Sequence, residues 1–363
     1  MIEILHPEDK NRMNFEFYLN EHIKKHPSVM PQDIAKLCYQ AAMGAEHLLR
    51  DEGAARRYFF GEFEAVEARD GELYESISDG VCRVDLGVWK SRGLSPEALF
   101  SIFVESARAY GGDRERLEEY LSIAEKAMPY HNVGFTPDEW QDFIAKYRSA
   151  GCPAVHHSEN YRKCEMPSYR IVNSELVSAI KVLEALAKSK NNDPDKAFVI
   201  AIDGRAASGK STLAGRLSSL IGADVIHMDD FFLPIELRCK ERLCEAGGNI
   251  HYERFSEEVL PFVSSRNPFE YGAFDCGQMK ICSKRSVGAG SIRIVEGSYS
   301  HHPNFKDYAD LRVFCTVSPD EQMRRILERN GERWAETFKE KWIPMEEKYF
   351  AAFSLESNAD LVV

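Results

Sequence analysis

An apolar run, AFVIAID, leads directly into GRAASGKS, and the amphipathic segment TLAGRLSSLI follows. The middle segment matches G-x-x-x-x-G-K-[ST] in full, with Gly204, Gly209, Lys210 and Ser211 at the defined positions. A strand, a glycine-rich turn and a helix in this order form a cradle for phosphate. The glycines let the backbone curl so that successive N–H groups point inward, and the helix N-terminus adds partial positive charge. The pattern predicts a nucleoside triphosphate site, which we expect to take ATP.

The residues of this loop have distinct predicted roles. Lys210 is expected to bridge the β- and γ-phosphates, and Ser211 to ligate Mg²⁺ through its hydroxyl. A chance glycine-rich turn is the alternative, and the flanking strand and helix argue against it. The loop alone does not distinguish ATP from GTP. The predicted nucleotide contacts are Gly204, Arg205, Ala206, Ala207, Ser208, Gly209, Lys210, Ser211 and Thr212.

Composition and charge narrow the class of protein. Of 363 residues, 44% are apolar and 29% charged, and no apolar run reaches the length of a membrane span. The N-terminus carries Glu3, Glu8 and Asp9 where a signal peptide needs positive charge, so we expect a cytoplasmic protein without membrane association. Acidic residues outnumber basic ones by 29 to 21 in 1–170 and by 29 to 25 in 171–363, which disfavours a nucleic-acid partner.

Residues 1–170 are predicted to form a mostly α-helical domain of unknown role. Apolar residues recur at helical spacing over 34–49, Ser95 stands before a proline as a helix cap, and Thr136 with Glu139 forms a capping box. Short strand-like pieces such as GVCRVDLGVW lie between these helices. The sequence leaves open whether this domain regulates, forms a homo-oligomer or adds a second activity.

The segment AVHHSENYRKCEMPSYRIV contains a cluster of polar side chains that could form a metal site. His156, His157 and Glu159 are residue types that bind metals. Adjacent residues of an extended segment point to opposite faces, so the two histidines rarely ligate one ion. We therefore favour a structural or interdomain role. The nine cysteines form no CxxC pair and are expected to be reduced thiols.

The pattern of apolar residues changes after residue 170. Residues 171–196 read as a helix and a polar linker. Over 197–363, short β-branched runs alternate with helical segments: AFVIAID, DVIHM, IRIVEG, LRVFCTVS and ADLVV. Near-continuous apolar strands of this kind are typical of a parallel sheet covered on both faces. We predict a doubly wound α/β fold for this domain.

Acidic residues stand at the ends of two of these strands. Asp229 and Asp230 follow the second strand in MDDFF, and Glu296 ends IRIVE. The carboxyl ends of such strands face the ligand crevice. One aspartate would accept a proton from an acceptor hydroxyl and the other would orient Mg²⁺ or its waters, while Glu296 suits a magnesium-water ligand or a substrate hydroxyl. Strand-end acidic residues also serve as helix caps, which is the alternative role.

A helix near the C-terminus, with its exit, carries four arginines: Arg324, Arg325, Arg329 and Arg333. Such a helix can close over a nucleotide and place guanidinium groups on a transferring phosphoryl group. Glutamates interleave with them, so a solvated face with i,i+4 ion pairs is the alternative. We expect one or two catalytic arginines in this segment.

In this order and spacing, IAIDGRAASGKSTLAGRL, MDDFF, IVEG, the RRxxxR cluster and the terminal ADLVV resemble the uridine kinase and phosphoribulokinase-like group of P-loop kinases. The resemblance covers residues 173–363. It implies an ATP- and Mg²⁺-dependent kinase for a hydroxyl on a small molecule, with a nucleoside such as uridine or cytidine as the default. Asp229 matches the general base of this group and Glu296 its acidic residue near magnesium and substrate. The arginines that match its lid are Arg325, Arg329 and, toward the substrate, Arg333.

Two segments match the substrate motifs of this group with departures. GGNIHYERF falls where uridine kinases carry a substrate-binding aspartate, and His251 stands nearest to it. YGAFDCGQ falls where they line the base pocket, so Phe274 and Asp275 are candidate substrate contacts beside Asp230. A histidine in place of the aspartate removes an acceptor that would hold a ribose hydroxyl, and a phenylalanine in place of the usual tyrosine removes a hydroxyl group. Sites built on such hydrogen bonds discriminate strongly between substrates. Nicotinamide riboside, pantothenate, glycerate and sugars or ribulose phosphate therefore remain alternative acceptors.

A function from another class also fits a phosphate loop. The chain would then be a nucleotide-gated regulatory or assembly protein whose helical half is the effector. A general base, an acidic strand end and an arginine cluster together favour the enzyme, because a sensor needs none of them in combination.

Overall fold

The computed structural model describes the following residues: 7–45, 49, 51–109, 111–189, 193 and 195–363, with side chains from residue 14 onward. The chain divides into two compact units, here called the N-terminal unit (Met1–Val177) and the C-terminal unit (Ser178–Val363). The predicted boundary at residue 170 falls within a strand of the N-terminal unit. The predicted linker helix lies in the C-terminal unit except for its first residue, Val177.

The N-terminal unit consists mostly of helices, with one small sheet. Its elements are α1 (Pro7–Lys25), α2 (Pro31–Met43), α3 (Glu52–Ala65), β1 (Tyr74–Ser78), β2 (Val81–Asp85), α4 (Leu86–Ser91), α5 (Pro96–Ala109), α6 (Arg114–Ala127), α7 (Pro137–Ser149), α8 (Glu159–Glu165) and β3 (Tyr169–Asn173). The three strands pair antiparallel in the order β1-β2-β3.

The predicted helix signals of this unit can be compared with its elements. The Ser95 cap and the Thr136–Glu139 capping box are confirmed at the starts of α5 and α7. The apolar pattern over 34–49 corresponds to α2, which ends before Gly44; residues 46–48 and 50 lie outside the described residues. Only the first half of GVCRVDLGVW forms a strand, β2, and the second half belongs to α4. The helix begins there because the Asp85 side chain accepts a hydrogen bond from the Val88 N–H.

The C-terminal unit alternates strands and helices. Its elements are α9 (Val177–Lys188), β4 (Phe198–Gly204), α10 (Lys210–Ile221), β5 (Asp224–His227), α11 (Lys240–Cys244), α12 (Tyr252–Glu258), α13 (Leu260–Val263), β6 (Phe269–Asp275), β7 (Lys280–Val287), β8 (Ile292–Glu296), β9 (Leu311–Cys315), α14 (Pro319–Asn330), α15 (Glu332–Thr337), a π-helical turn (Phe338–Trp342), α16 (Ile343–Phe353), α17 (Leu355–Asn358) and β10 (Leu361–Val362).

Five of these strands form a parallel sheet in the order β10-β9-β4-β8-β5, which confirms the predicted doubly wound α/β fold. Every residue of β4 is buried, as a central strand of a sheet covered on both faces requires. Because β8 and β9 flank β4 on opposite sides, the strand order reverses at β4, and a ligand crevice forms at its carboxyl end. Strands β6 and β7 pair separately as an antiparallel hairpin.

The described part of the chain contains no helix that is both long enough and apolar enough to cross a membrane.

Candidate nucleotide and acceptor site

The phosphate loop connects the carboxyl end of β4 to the start of α10. A Cβ on Gly204 would lie 2.0 Å from the Cys315 carbonyl oxygen, so only glycine allows β4 and β9 to approach this closely. Gly209 has φ +98° and open space around it, so it is required for backbone conformation at the helix start. The predicted strand, loop and helix are therefore all present.

Lys210 and the start of α10 together form a candidate anion site. The Lys210 Nζ atom donates to the carbonyl oxygens of Gly204 at 2.7 Å and Arg205 at 2.8 Å. The first intrahelical bond of α10 runs from the Leu213 N–H to Gly209, so the N–H groups before it are the free donors of a helix N-terminus. An ammonium group beside such donors suits a phosphate group.

Asp203, the last polar residue before the loop, is fully buried and was not singled out from the sequence. Its carboxylate accepts hydrogen bonds from the N–H groups of Gly204, Tyr299 and His301 and from the Tyr349 hydroxyl. Tyr299 has φ +80°, a conformation that aromatic residues rarely adopt and that surrounding contacts must stabilise. Asp203 thereby connects the phosphate loop to the segment that follows β8. The sequence could have indicated Asp203, because it is an acidic residue in an otherwise apolar strand.

Ser211, Glu296 and His227 form a connected group at the ends of α10, β8 and β5. The Ser211 hydroxyl donates to Glu296 Oε2 at 2.9 Å, and His227 Nδ1 lies 2.6 Å from Glu296 Oε1. The hydrogen bond to Glu296 raises the pKa of His227. Burial opposes this shift, and the attraction of the Glu296 charge adds to it. A hydroxyl beside a buried carboxylate provides the oxygen ligands that Mg²⁺ prefers, so these residues fit a magnesium ion.

Asp229 and Asp230 lie in the short 3₁₀ turn Met228–Phe231, directly after β5. The Asp229 side chain is open to solvent, whereas Asp230 is only 5% exposed. Desolvation by nearby protein atoms, and next the charge of Glu296, raise the pKa of Asp229, while Lys210 and His227 oppose the shift. Asp229 is therefore an accessible carboxyl group near the loop lysine, as a general base has to be.

The Asp230 carboxylate is occupied by protein contacts. Its Oδ2 atom accepts hydrogen bonds from the Tyr271 hydroxyl at 3.1 Å and from Arg285 Nε at 2.6 Å. Arg254 Nη2 donates to the Asp230 carbonyl oxygen at 2.6 Å, and its guanidinium stacks on Phe231. Asp230 thus connects the β6–β7 hairpin to the turn that carries Asp229. None of the three residues Tyr271, Arg254 and Arg285 was predicted as a site residue, although Arg254 lies in GGNIHYERF and Tyr271 in YGAFDCGQ.

The other candidate substrate residues have different environments. His251 caps α12 by accepting the Arg254 N–H at 3.3 Å, and its own N–H donates to the Phe231 carbonyl, so it lies beside the Asp229 turn. Phe274 is buried near the end of β6. The Asp275 carboxylate accepts the N–H groups of Gly277 at 2.7 Å and Gln278 at 2.9 Å, which caps the turn of the hairpin.

Of the four arginines, Arg325 contacts the phosphate loop. Its Nη1 atom donates to the Ala207 carbonyl at 3.2 Å. Arg324 pairs with glutamates on its own helix, as the solvated-face alternative predicts. Arg329 donates to the Asn330 side chain next to it, and Arg333 is exposed on α15. The structure therefore brings one arginine of this cluster to the loop.

Two residues that the sequence reasoning missed also hold the loop. Gln322 Nε2 donates to the Ala206 carbonyl at 3.0 Å, and Glu346 Oε2 accepts the Ala206 N–H at 2.9 Å. Both lie more than 100 residues after Ala206 in the chain, at separations of 116 and 140. Gln322 precedes the arginine cluster by two residues but is not part of its pattern, and Glu346 has no recognisable motif around it.

In the N-terminal unit, His157 makes structural contacts. Its Nδ1 atom lies 2.9 Å from Asp33 Oδ1, and its Nε2 atom 2.7 Å from the Tyr169 hydroxyl. No cluster of metal-binding side chains occurs among the residues that the structure describes. All nine cysteines are free thiols.

No model of a known protein family matches the chain. One similar solved structure is a protein from Silicibacter sp. TM1040 assigned as a fructose transport system kinase; it is 22% identical, has a TM-score of 0.42, and the match covers 51% of this chain and 98% of that chain. Another is a protein from Bacillus stearothermophilus assigned as a uridine kinase, with 21% identity, a TM-score of 0.39, and coverage of 52% of this chain and 98% of that chain. Both matches concern about half of this chain, and at these scores they carry no argument about its reaction.

Proposed function

We propose that the C-terminal unit is a kinase that transfers the γ-phosphoryl group of ATP to a hydroxyl group of a small molecule. One observation carries the proposal: a complete phosphate loop, an oxygen pair suited to Mg²⁺ and an accessible carboxylate meet at the carboxyl ends of β4, β8 and β5. A site that only binds a nucleotide has no use for the third component.

Each group has a role in this reaction. Lys210 and the N–H groups at the start of α10 bind the phosphates, and Ser211 and Glu296 would hold Mg²⁺. The ion, when bound, neutralises charge on the phosphate oxygens. Asp229 accepts the proton of the acceptor hydroxyl as that oxygen attacks the γ-phosphorus. Arg325, already on the loop, stabilises charge on the transferring group.

The acceptor is proposed by class. A nucleoside such as uridine or cytidine is our first choice, on the resemblance of the motifs, and nicotinamide riboside, pantothenate, glycerate and sugars follow. The surroundings of Asp229 support a polar acceptor, because His251 lies beside its turn and Asp230 is the next residue. We further propose that the protein acts in the cytoplasm on a small molecule, with no nucleic-acid or membrane partner.

Changing Asp229 to Asn tests the base. Asn is nearly isosteric but cannot accept the proton, so we expect kcat to fall at least about a hundredfold while MgATP affinity changes little. The measurement is acceptor-dependent ADP release across a panel of nucleosides, ribosides, vitamins and sugar acids, with MgATP binding measured in parallel.

Asp230→Asn is the neighbouring control. Loss of the Asp230 charge is expected to act through the hairpin. It should raise the KM for the acceptor and have a smaller effect on kcat. Equal turnover in Asp229→Asn and the parent would remove Asp229 as the base. Nucleotide binding with no acceptor-dependent turnover for any compound would favour the regulatory alternative.

A further inference from the structure

The third residue of the phosphate loop, Ala206, is held from both sides by the C-terminal helices. Glu346 of α16 accepts its N–H at 2.9 Å, and Gln322 of α14 donates to its carbonyl oxygen at 3.0 Å. The Ala206 methyl group packs in a small apolar cluster with Ile326 and Ala335. This N–H is therefore committed to a carboxylate and is not a donor for nucleotide phosphate.

The Glu346 carboxylate is buried, with 8% of the residue exposed. Its second oxygen accepts the Ser298 hydroxyl at 2.8 Å, and Ser298 also lies 3.4 Å from the Gly204 carbonyl oxygen. Burial raises the pKa of Glu346, whereas Lys210 and the hydrogen bonds from Ser298 and Ala206 oppose that shift. Lys210 donates to the Gly204 carbonyl oxygen from which Ser298 lies 3.4 Å, and Ser298 in turn donates to Glu346. The Glu346 carboxylate is therefore close enough to the Lys210 ammonium for the two charges to attract each other.

This arrangement has a favourable and an unfavourable consequence for a nucleotide. The hydrogen bonds from Ala206 and Ser298 fix the backbone of the loop before a ligand arrives, so less conformational freedom is lost on binding. A negative charge buried near Lys210 repels a polyphosphate and competes for the same ammonium group. The two effects act on affinity in opposite directions, and they can be separated by chemistry.

We propose that Glu346 is a positioning residue that holds the phosphate loop in its binding conformation and acts as the counter-ion of Lys210 until the nucleotide replaces it. The proposal rests on the proposed function, because it concerns the same nucleotide site. Its role is exerted through Ala206 and Lys210 and requires no contact with the acceptor.

The test uses the whole chain and measures the Kd for MgATP together with KM and kcat. In Glu346→Gln the side-chain oxygen still accepts the Ala206 N–H and the amide donates to Ser298, while the charge is lost, so we expect MgATP to bind about fivefold more tightly with a matching fall in KM. Glu346→Ala removes the hydrogen bonds as well, and we expect binding about tenfold weaker than in the parent.

Glu340→Gln is the matched control, since it removes an exposed acidic group from the neighbouring π-helical turn. We expect its MgATP affinity to stay within about twofold of the parent. Tighter MgATP binding in Glu346→Gln together with weaker MgATP binding in Glu346→Ala supports the proposal. Weaker or unchanged binding in Glu346→Gln would overturn it, and this holds even if Glu346→Ala fails to fold. If the parent protein binds no MgATP, the proposed function is overturned as well. If the parent binds MgATP and phosphorylates an acceptor, a failed result concerns only the role of Glu346.

Discussion

Asp229 and Asp230 are neighbours in one turn, yet their carboxyl groups have different surroundings. Asp230 is buried and bonded to Tyr271 and Arg285, whereas Asp229 is open to solvent. From the residues alone the two aspartates are equivalent candidates for a base, and the family resemblance favours Asp229. The three-dimensional contacts distinguish them, because a carboxylate whose oxygen already accepts an arginine is poorly placed to accept a substrate proton.

At the residue scale, the raised pKa of Asp229 predicts a pH dependence. A general base acts in its ionised form, so kcat/KM for the acceptor should fall as pH decreases through the raised pKa of this carboxyl group. Because desolvation by nearby protein atoms and the charge of Glu296 move that pKa above the ordinary 3.8, the acid limb should lie at higher pH than the limb of an unperturbed aspartate. The measurement is a pH profile at saturating MgATP, with folding followed by circular dichroism over the same range. A profile that stays flat down to about pH 4 would contradict the assignment.

At the element scale, the β6–β7 hairpin is attached to the turn of Asp229 through side chains. Tyr271 and Arg285 are directly opposite each other in the hairpin register, and both donate to the same oxygen of Asp230. Arg254 adds a second connection, from α12 to the carbonyl oxygens of Asp230 and Gly272. The hairpin therefore sets the position of the turn, although it is not part of the parallel sheet.

Arg285→Ala tests this role of the hairpin. The substitution leaves Asp230 with one donor less, so the turn loses support on the acceptor side while the phosphate loop stays intact. We expect KM for the acceptor to rise about tenfold and the Kd for MgATP to change less than twofold. Lys284→Ala is the control, because the exposed Lys284 pairs with Glu270 on the same hairpin. A larger loss of MgATP affinity than of acceptor affinity in Arg285→Ala would refute this division of roles.

At the scale of the whole molecule, the chain consists of two compact units, and the proposed nucleotide site lies in one of them. All residues of the phosphate loop and the groups that hold it belong to the C-terminal unit. A ligand that binds one folded unit stabilises that unit against unfolding. The N-terminal unit has its own core and its own buried polar contacts, such as Asp33 with His157.

Differential scanning calorimetry of the whole chain tests the location of the site. We expect MgATP at a hundred times its Kd to stabilise the unfolding transition of the C-terminal unit by about 2.7 kcal/mol. Lys210→Ala should remove this stabilisation, because it deletes the ammonium group of the loop. A transition assigned to the N-terminal unit is expected to stay in place. Stabilisation of that transition alone would show that the nucleotide binds elsewhere.

Sequence and structure contribute at different ranges of the chain. The sequence by itself determined the strand, loop and helix around GRAASGKS, the α/β architecture of the second half and the helix starts at Ser95 and Thr136, because each depends on residues within a few positions of one another. Only the tertiary structure decided which aspartate is open, that Arg325 rather than Arg329 reaches the loop, and that Glu346 holds Ala206. The order β10-β9-β4-β8-β5 brings together groups more than 140 residues apart, such as Asp203 and Tyr349. Such contacts depend on how the elements pack, which local patterns in the chain do not encode.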